Sequence, residues 1–320
     1  MAEIDYDVKK ARDLLISGEI VAIPTETVYG LAANVFDEMA VAKIFEAKDR
    51  PFFDPLIVHI AETDDPGKYV SDIPDIARIL IANFWPGSLT LILPKKDIIP
   101  DLVTSGQNTV GLRMPNHPLT QQLLALLPFP LAAPSANPFG YISPTTAQHV
   151  FDQLGDKIPY ILDGGPCEVG LESTIIGFEG DIPVLYRLGG IPMEEIEAIT
   201  GPLRTNIHQS SNPAAPGQLL SHYAPKKPLY IGDIHALLLD YSHKRVGVIS
   251  FQKHYAGSNI IQNWVLSQNG SLQEAAAHLF TAMREADQST SEILLAEVFP
   301  DKGLGRAIND RLSRARKGFD

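Results

Sequence analysis

Pro24-Thr25-Glu26-Thr27-Val28-Tyr29-Gly30-Leu31, then Lys48-Asp49-Arg50-Pro51, then Pro55-Leu56-Ile57-Val58-His59: this is the most informative stretch of the chain. An apolar run at 20–23 stops at Pro24 and opens into small hydroxyl residues. One helix later, two cations sit two residues apart ahead of a proline-bounded loop. That loop feeds a second apolar run, which ends in a histidine. The pattern places Thr25, Thr27, Lys48, Arg50 and His59 at the ends and entrances of adjacent strands, where loops on a rigid scaffold carry binding and catalysis. It suggests an anion site built from side chains rather than from a glycine-rich loop.

Outward from this stretch, the first two-thirds of the chain alternate short β-rich runs with amphipathic segments. A helix is expected over 6–17, with Val8, Ala11, Leu14 and Leu15 at helical spacing, followed by a strand at 20–23. Asp37 is placed to cap a helix over 38–47, its carboxylate accepting from open first-turn amides. Strands at 56–60, 89–93, 110–113, 131–133, 160–162, 173–177 and 184–186 follow, with helices at 76–84, 119–127 and after Ser143-Pro144. Several strand-to-strand steps are too short for a crossover helix, so a twisted mixed sheet with flanking helices is expected. Residues 203–228 are polar and proline-rich and read as a linker. Beyond it, strands at 229–231, 246–250 and 293–297 alternate with helices at 272–287 and 304–317. This reads as a small Rossmann-like parallel α/β domain. The expected division is 1–202, linker 203–228, and 229–320.

Composition narrows the function. The 320 residues carry a net charge of −12. Through Arg204 there are 14 Lys+Arg against 28 Asp+Glu, and the remainder is +2. An acidic first half argues against strong nonspecific nucleic-acid binding. Apolar runs are too short to span a bilayer. The acidic N-terminus does not read as a signal peptide. The lone Cys167 excludes an intrachain disulfide or a cysteine-based zinc site, so a cytoplasmic protein is expected. No phosphate-binding Gly-x-x-x-x-Gly-Lys loop or His-Glu-x-x-His occurs. Gly303-Leu-Gly305 lacks the third glycine of a dinucleotide fingerprint, and Ser135 lacks a nucleophile elbow.

What remains is a scattered polar set at segment ends: Thr27, Lys48, Arg50, His59, Arg113, Ser135, Asn137, Ser143, Ser173 and Arg187. Each has an ordinary reading. Lys48 and Arg50 complement a helix dipole, Ser135, Asn137 and Ser143 serve as turn and cap residues, and Arg113 is either a surface residue or a carboxylate clamp. Jointly, three arginines and a lysine fit a ligand with several anionic groups, and the hydroxyl and amide residues fit one with alcohols and a purine.

The ordered motifs resemble the threonylcarbamoyl-AMP synthase family, in its two-domain form with a YrdC-type catalytic domain. The matching pieces are those quoted above together with Trp85-Pro-Gly, Leu89-Thr90, Arg113-Met-Pro, Pro134-Ser-Ala-Asn137, Glu172-Ser-Thr-Ile175 and Arg187-Leu-Gly. Ala215-Pro-Gly, His222-Tyr-Ala-Pro and Gly303-Leu-Gly-x-Ala-Ile-Asn extend the match to the linker and last domain. The resemblance implies condensation of L-threonine, bicarbonate and ATP to threonylcarbamoyl-AMP with release of pyrophosphate, a nucleotidyltransferase reaction, for N6-threonylcarbamoyladenosine in tRNA. It implies threonine binding by Thr27, His59, Arg113, Ser173 and the backbone near Ala133. ATP binding falls to Arg50, Asp54, Thr109, Ser135, Asn137, Ser143, Arg187 and Tyr223, the last closing over the nucleotide from the linker. Lys48 and Arg50 would act in catalysis with Mg²⁺ carried mainly by the phosphates. Downstream threonylcarbamoyl-transfer proteins are the expected partners, with weak tRNA contact, and the expected state is a monomer. Asp54 stands where the family usually has asparagine, a carboxylate beside an expected triphosphate, and Asp49 is expected to face solvent. Two rivals are weighed. A hydrogenase-maturation carbamoyltransferase would bring an acylphosphatase module and cysteine-rich zinc motifs, and neither is present. A non-catalytic double-stranded RNA or tRNA binding module would bind RNA in a salt-sensitive way without ATP turnover.

Overall fold

The computed structural model describes residues 1–207 and 222–316. Residues 208–221, which hold most of the expected linker and its Ala215-Pro-Gly, lie outside the described residues, as do 317–320. The chain forms two compact units. The first takes Met1–Phe139, Ser143–Glu168 and the described chain from Glu172 to residue 207; the second takes Gly140–Ile142, Val169–Leu171 and the described chain from His222.

The strands of the first unit are β1 (Glu3–Asp5), β2 (Val21–Ile23), β3 (Gly30–Asn34), β4 (Ile57–His59), β5 (Leu89–Pro94) and β6 (Thr109–Arg113). They continue with β7 (Leu131–Ala132), β8 (Tyr160–Leu162), β9 (Thr174–Glu179), β10 (Ile182–Arg187) and β11 (Arg204–Thr205). All join one sheet in the order β1-β8-β2-β3-β7-β4-β6-β5-β9-β10-β11. Its helices are α1 (Val8–Ile16), α2 (Glu38–Lys48), α3 (Asp75–Phe84), α4 (Asp101–Thr104), α5 (Pro118–Ala125), α6 (Ala147–Leu154) and α7 (Met193–Thr200). The expected mixed sheet is what forms. β2–β3, β5–β6 and β9–β10 are antiparallel, whereas β4–β6 and β5–β9 are parallel.

Local chemistry sets the helix starts. The Asp37 carboxylate accepts from the amides of Met39 and Ala40, as expected, and Asp7 does the same for α1 through Lys9 and Lys10. The helix expected after Ser143-Pro144 begins three residues on, at Ala147, where Thr146 accepts from the His149 amide. β3 was not expected. Gly-Leu-Ala-Ala-Asn has little intrinsic strand preference, and pairing with β2 and β7 on both sides supplies what the sequence lacks.

Side-chain alternation gives the central strands two different faces. Val58, Leu89, Leu91, Leu93, Val110, Leu112, Ile176 and Leu185 all enter the main hydrophobic core. The other face carries the polar residues described below, with Ile57, Ile92, Ile175 and Tyr186 as a separate apolar floor.

The second unit is a parallel sheet in the order β12-β15-β13-β14, formed by β12 (Leu229–Gly232), β13 (Val246–Ser250), β14 (Ile260–Val265) and β15 (Ile293–Glu297). Helices α8 (Ile234–Asp240), α9 (Leu272–Gln288) and α10 (Leu304–Arg316) accompany it. The expected three strands are therefore four. The Gln262-Asn263 pair in β14, exposed and half-buried, hides it from an apolar-run reading.

Candidate active site

One register row organises the polar face. His59 of β4 lies beside Arg113 of β6, Arg113 beside Thr90 of β5, Thr90 beside Ile175 of β9, and Ile175 beside Arg187 of β10. Directly paired residues share a face, so five adjacent strands present His59, Arg113, Thr90 and Arg187 to one side. Ser173, just before β9, completes the row. Its hydroxyl lies 2.7 Å from Thr90 Oγ1 and accepts from Arg187 Nη2 at 3.0 Å. Arg187 Nε also donates to the Ser173 carbonyl at 3.0 Å. A register shift between Leu185 and Arg187 re-aims the end of β10, the usual effect of a bulge. At Gly177 a Cβ would come within 2.6 Å of the Tyr186 ring, so only glycine lets that ring lie flat across β9.

Arg113 is buried, and its guanidinium is held on one side. Nε donates to the Gly87 carbonyl at 3.3 Å and Nη2 to Glu26 Oε1 at 2.7 Å. Nη1 has no hydrogen-bond partner among the described residues and is not sealed from solvent. That edge suits a carboxylate, since guanidinium N–H groups match its oxygens. His59 is 2% exposed, with Nδ1 facing the Ile57 carbonyl at 3.3 Å. Burial, with the positive charge of Arg113 beside it, pushes its pKa down to about 3. The imidazole is therefore neutral at pH 7 in the ligand-free protein, and Nδ1 donates to the carbonyl.

A second cationic group surrounds Asp54. This residue is fully buried, and Arg50 Nη2 lies 2.9 Å from its Oδ2. The contact is an ion pair without an aligned N–H, and neither carboxylate oxygen has a hydrogen-bond partner among the described residues. Arg50 Nε and Nη2 donate to the carbonyls of Asp54 and Pro55, at 3.2 and 2.9 Å. Burial raises the pKa of Asp54, while the charges of Arg50, Lys48 and Arg187 pull it back. Lys48, at the end of α2, is 1% exposed and donates to the carbonyls of Ser135 and Asn137. It therefore points inward, rather than serving the helix dipole at the surface. Burial and the Arg50 charge lower its pKa, and Asp54 opposes them. Asp49, by contrast, is exposed and pairs with Lys157 at 2.8 Å.

The other expected residues also have definite places. Thr27 is buried, its hydroxyl 2.8 Å from that of Thr25, in a turn where the Thr25 oxygen also accepts from the amides of Thr27 and Val28. The Ala133 amide donates to Ile57 at 3.0 Å, and Ser135 bridges Gly30. Asn137 is buried beside Lys48, and Ser143 donates to Glu172 Oε1. Thr109 lines a cavity of about 290 Å³ with Ile92, Gly177, Phe178 and Tyr186. All of these belong to the first unit. Tyr223 belongs to the second, where it is 1% exposed, stacked on Phe280 at 5.6 Å and under the Arg311 guanidinium at 5.0 Å. Cys167 is buried, and burial pushes its thiol up, as befits an inert residue. Among the described residues no group of three or more His, Cys, Asp or Glu side chains is placed to hold a metal. Among the described residues, no helix is long and apolar enough to cross a membrane.

A Sua5–YciO–YrdC family model, described as telomere recombination, matches residues 13–189. A second, described as the threonylcarbamoyl-AMP synthase C-terminal domain, matches 191–316. The Threonylcarbamoyl-AMP synthase of Bacillus subtilis is 42% identical, over 98% of this chain and 94% of its own length. The chain belongs to the threonylcarbamoyl-AMP synthase family. Another relative, the Threonylcarbamoyl-AMP synthase of Pyrococcus abyssi, is 40% identical over 97% of this chain and 94% of its own. A crystal structure of P. abyssi Sua5 complexed with L-threonine superposes with a TM-score of 0.91 at 40% identity, covering 97% of this chain and 94% of that one. The chain therefore shares the fold of a threonine-bound member of this synthase family over both units.

Three residues of this polar face escaped sequence reasoning. Glu26 stands in a quoted motif with no role given to it, yet it is the partner of Arg113. Thr90 and Glu172 are quoted only as parts of motifs, and the structure joins them to Ser173 and Ser143. Their signal was their place inside quoted motifs. Their partners lie far along the chain, and pairing at that distance leaves no local trace.

Proposed function

We propose that this family member is an ATP-dependent nucleotidyltransferase that condenses L-threonine, bicarbonate and ATP into threonylcarbamoyl-AMP and releases pyrophosphate. The observation that carries the reading is the single row His59–Arg113–Thr90–Ile175–Arg187, with the Asp54 cation cluster in electrostatic reach of Arg187. Arg113, through its open Nη1 edge, receives the threonine carboxylate, with Thr27, His59, Ser173 and the backbone at Ala133 around the rest of the amino acid. Arg50, Thr109, Ser135, Asn137, Ser143 and Arg187 hold ATP. Asp54 acts on the nucleotide indirectly, through Arg50.

The chemistry asks little of a protein nucleophile. The unprotonated threonine amine attacks the carbon of carbon dioxide formed from bicarbonate, and the amine proton and bicarbonate's hydroxide leave as water, giving a carbamate. A carbamate oxygen then attacks the α-phosphorus, and the bond to pyrophosphate breaks. A neutral imidazole at His59 does not stabilise an ammonium as a carboxylate would, which favours the free amine. Charge on the departing pyrophosphate is met by Lys48, Arg50 and Arg187 as fixed cations, and Mg²⁺ arriving with ATP would supply further charge neutralisation. Positioning and electrostatics supply the rate. The product would pass to threonylcarbamoyl-transfer proteins acting on tRNA, with weak tRNA contact by the synthase itself. A cytoplasmic monomer fits this role.

The test is omission. Pyrophosphate release from ATP is expected only when L-threonine and bicarbonate are both present, and ATP turnover indifferent to threonine would end the assignment.

A further inference from the structure

Glu26 is a buried group in this site that the reaction leaves without a task. Its carboxylate is 7% exposed and fully engaged. Oε1 accepts from Arg113 Nη2 at 2.7 Å and from Ser88 Oγ at 3.1 Å, and Oε2 accepts from the Asn116 amide at 3.0 Å. These contacts tie together the turn after β2, the segment before β5 and the end of β6. A flexible arginine held this way cannot rotate about its terminal bonds. Nε is fixed by the Gly87 carbonyl and Nη2 by Glu26, so the Nη1 edge is the one offered outward. The carboxylate also compensates the charge of Arg113, a residue only 4% exposed, which would otherwise lack a counter-charge.

We propose that Glu26 is the positioning residue that makes Arg113 a carboxylate-specific receptor, orienting its free edge and cancelling its net charge so that a singly charged carboxylate is bound by geometry. This rests on the reading of Arg113 as the threonine clamp. It separates the amino-acid end of the site, a neutral Arg–Glu pair, from the nucleotide end, where Lys48, Arg50 and Arg187 share the single carboxylate of Asp54.

Glu26→Gln is the informative change. It keeps size and one acceptor oxygen but removes the charge and turns an N–H group toward a donor. In the full-length protein, L-threonine affinity measured by calorimetry is expected to fall roughly tenfold or more, in line with losing one charge-assisted hydrogen bond. ATP affinity should stay within about twofold. The same variant should leave the inhibition constant of L-threonine amide, which has no carboxylate, unchanged against threonine-dependent pyrophosphate release. Glu26→Asp restores charge but not reach and should lie between. A merely structural role would weaken threonine, its amide and ATP together, and that result overturns the proposal, as does unchanged threonine affinity in Glu26→Gln. Failure of the underlying reading looks different: the unaltered protein would not bind L-threonine, or Arg113→Ala would bind it as well as the unaltered protein does.

Discussion

His59 carries a pH signature large enough to measure. Its pKa falls from 6.5 to about 3 on folding, first through burial and then through Arg113. A depressed folded value means that the unfolded chain binds the proton more readily. The stabilisation is therefore complete above the unfolded pKa and is lost as pH falls toward the folded one. At about 1.36 kcal/mol per unit, the whole contribution is roughly 5 kcal/mol, and about 2 kcal/mol of it disappears between pH 7.5 and pH 5. His59→Asn keeps an N–H to offer the Ile57 carbonyl but cannot titrate. The two tryptophans divide neatly between the units, Trp85 in the first and Trp264 in the second. In a Trp264→Phe background, Trp85 fluorescence thus reports denaturant unfolding of the first unit alone. The parent should lose about 2 kcal/mol more than the His59→Asn protein between those two pH values. Equal losses in both would show that His59 is not held neutral by its surroundings, and the account of the free threonine amine would go with it.

Other outcomes follow from the cation cluster. Asp54→Asn removes the internal anion that a triphosphate must compete with, so ATP should bind about tenfold tighter, or about 1.4 kcal/mol. The ligand-free protein should at the same time be destabilised by roughly 3 kcal/mol because Arg50 loses its buried partner. Calorimetry and Trp85 unfolding check the two halves, and weaker ATP binding would contradict the competition argument. Lys48→Met should cost about 2–4 kcal/mol of stability by stranding the Ser135 and Asn137 carbonyls, besides slowing turnover. Unaltered stability would mean that those contacts contribute nothing.

How much of this was legible in the sequence depends on the range of each interaction. Caps are local: Asp37 announces α2 by position alone, and the structure shows its carboxylate on the expected amides. The mixed sheet followed from connection lengths, also a local quantity. β3 was invisible because its small residues become a strand only between β2 and β7. β14 was invisible because Gln262 and Asn263 interrupt its apolar pattern. Within the site, His59 and Arg113 were legible as strand-end polar residues, but their adjacency is a matter of register between strands more than fifty residues apart. The Glu26 partnership spans 87 residues. No periodicity encodes such a pairing, and burial alone gives a reason for it, since a guanidinium removed from water needs a counter-charge. Lys48 shows the opposite error in waiting, because a cation at a helix end looks like dipole compensation until two buried carbonyls are found at its tip.

The central claim is that one face of the first unit joins an amino acid to a nucleotide through a carbon supplied by bicarbonate. Mass analysis of the product formed from L-threonine, ATP and ¹³C-bicarbonate tests it most directly. The expected result is an adenylate that contains threonine and carries one heavy carbon, and that fails to form with Arg113→Ala. An adenylate lacking the heavy carbon, or one that forms equally well without threonine, would contradict it.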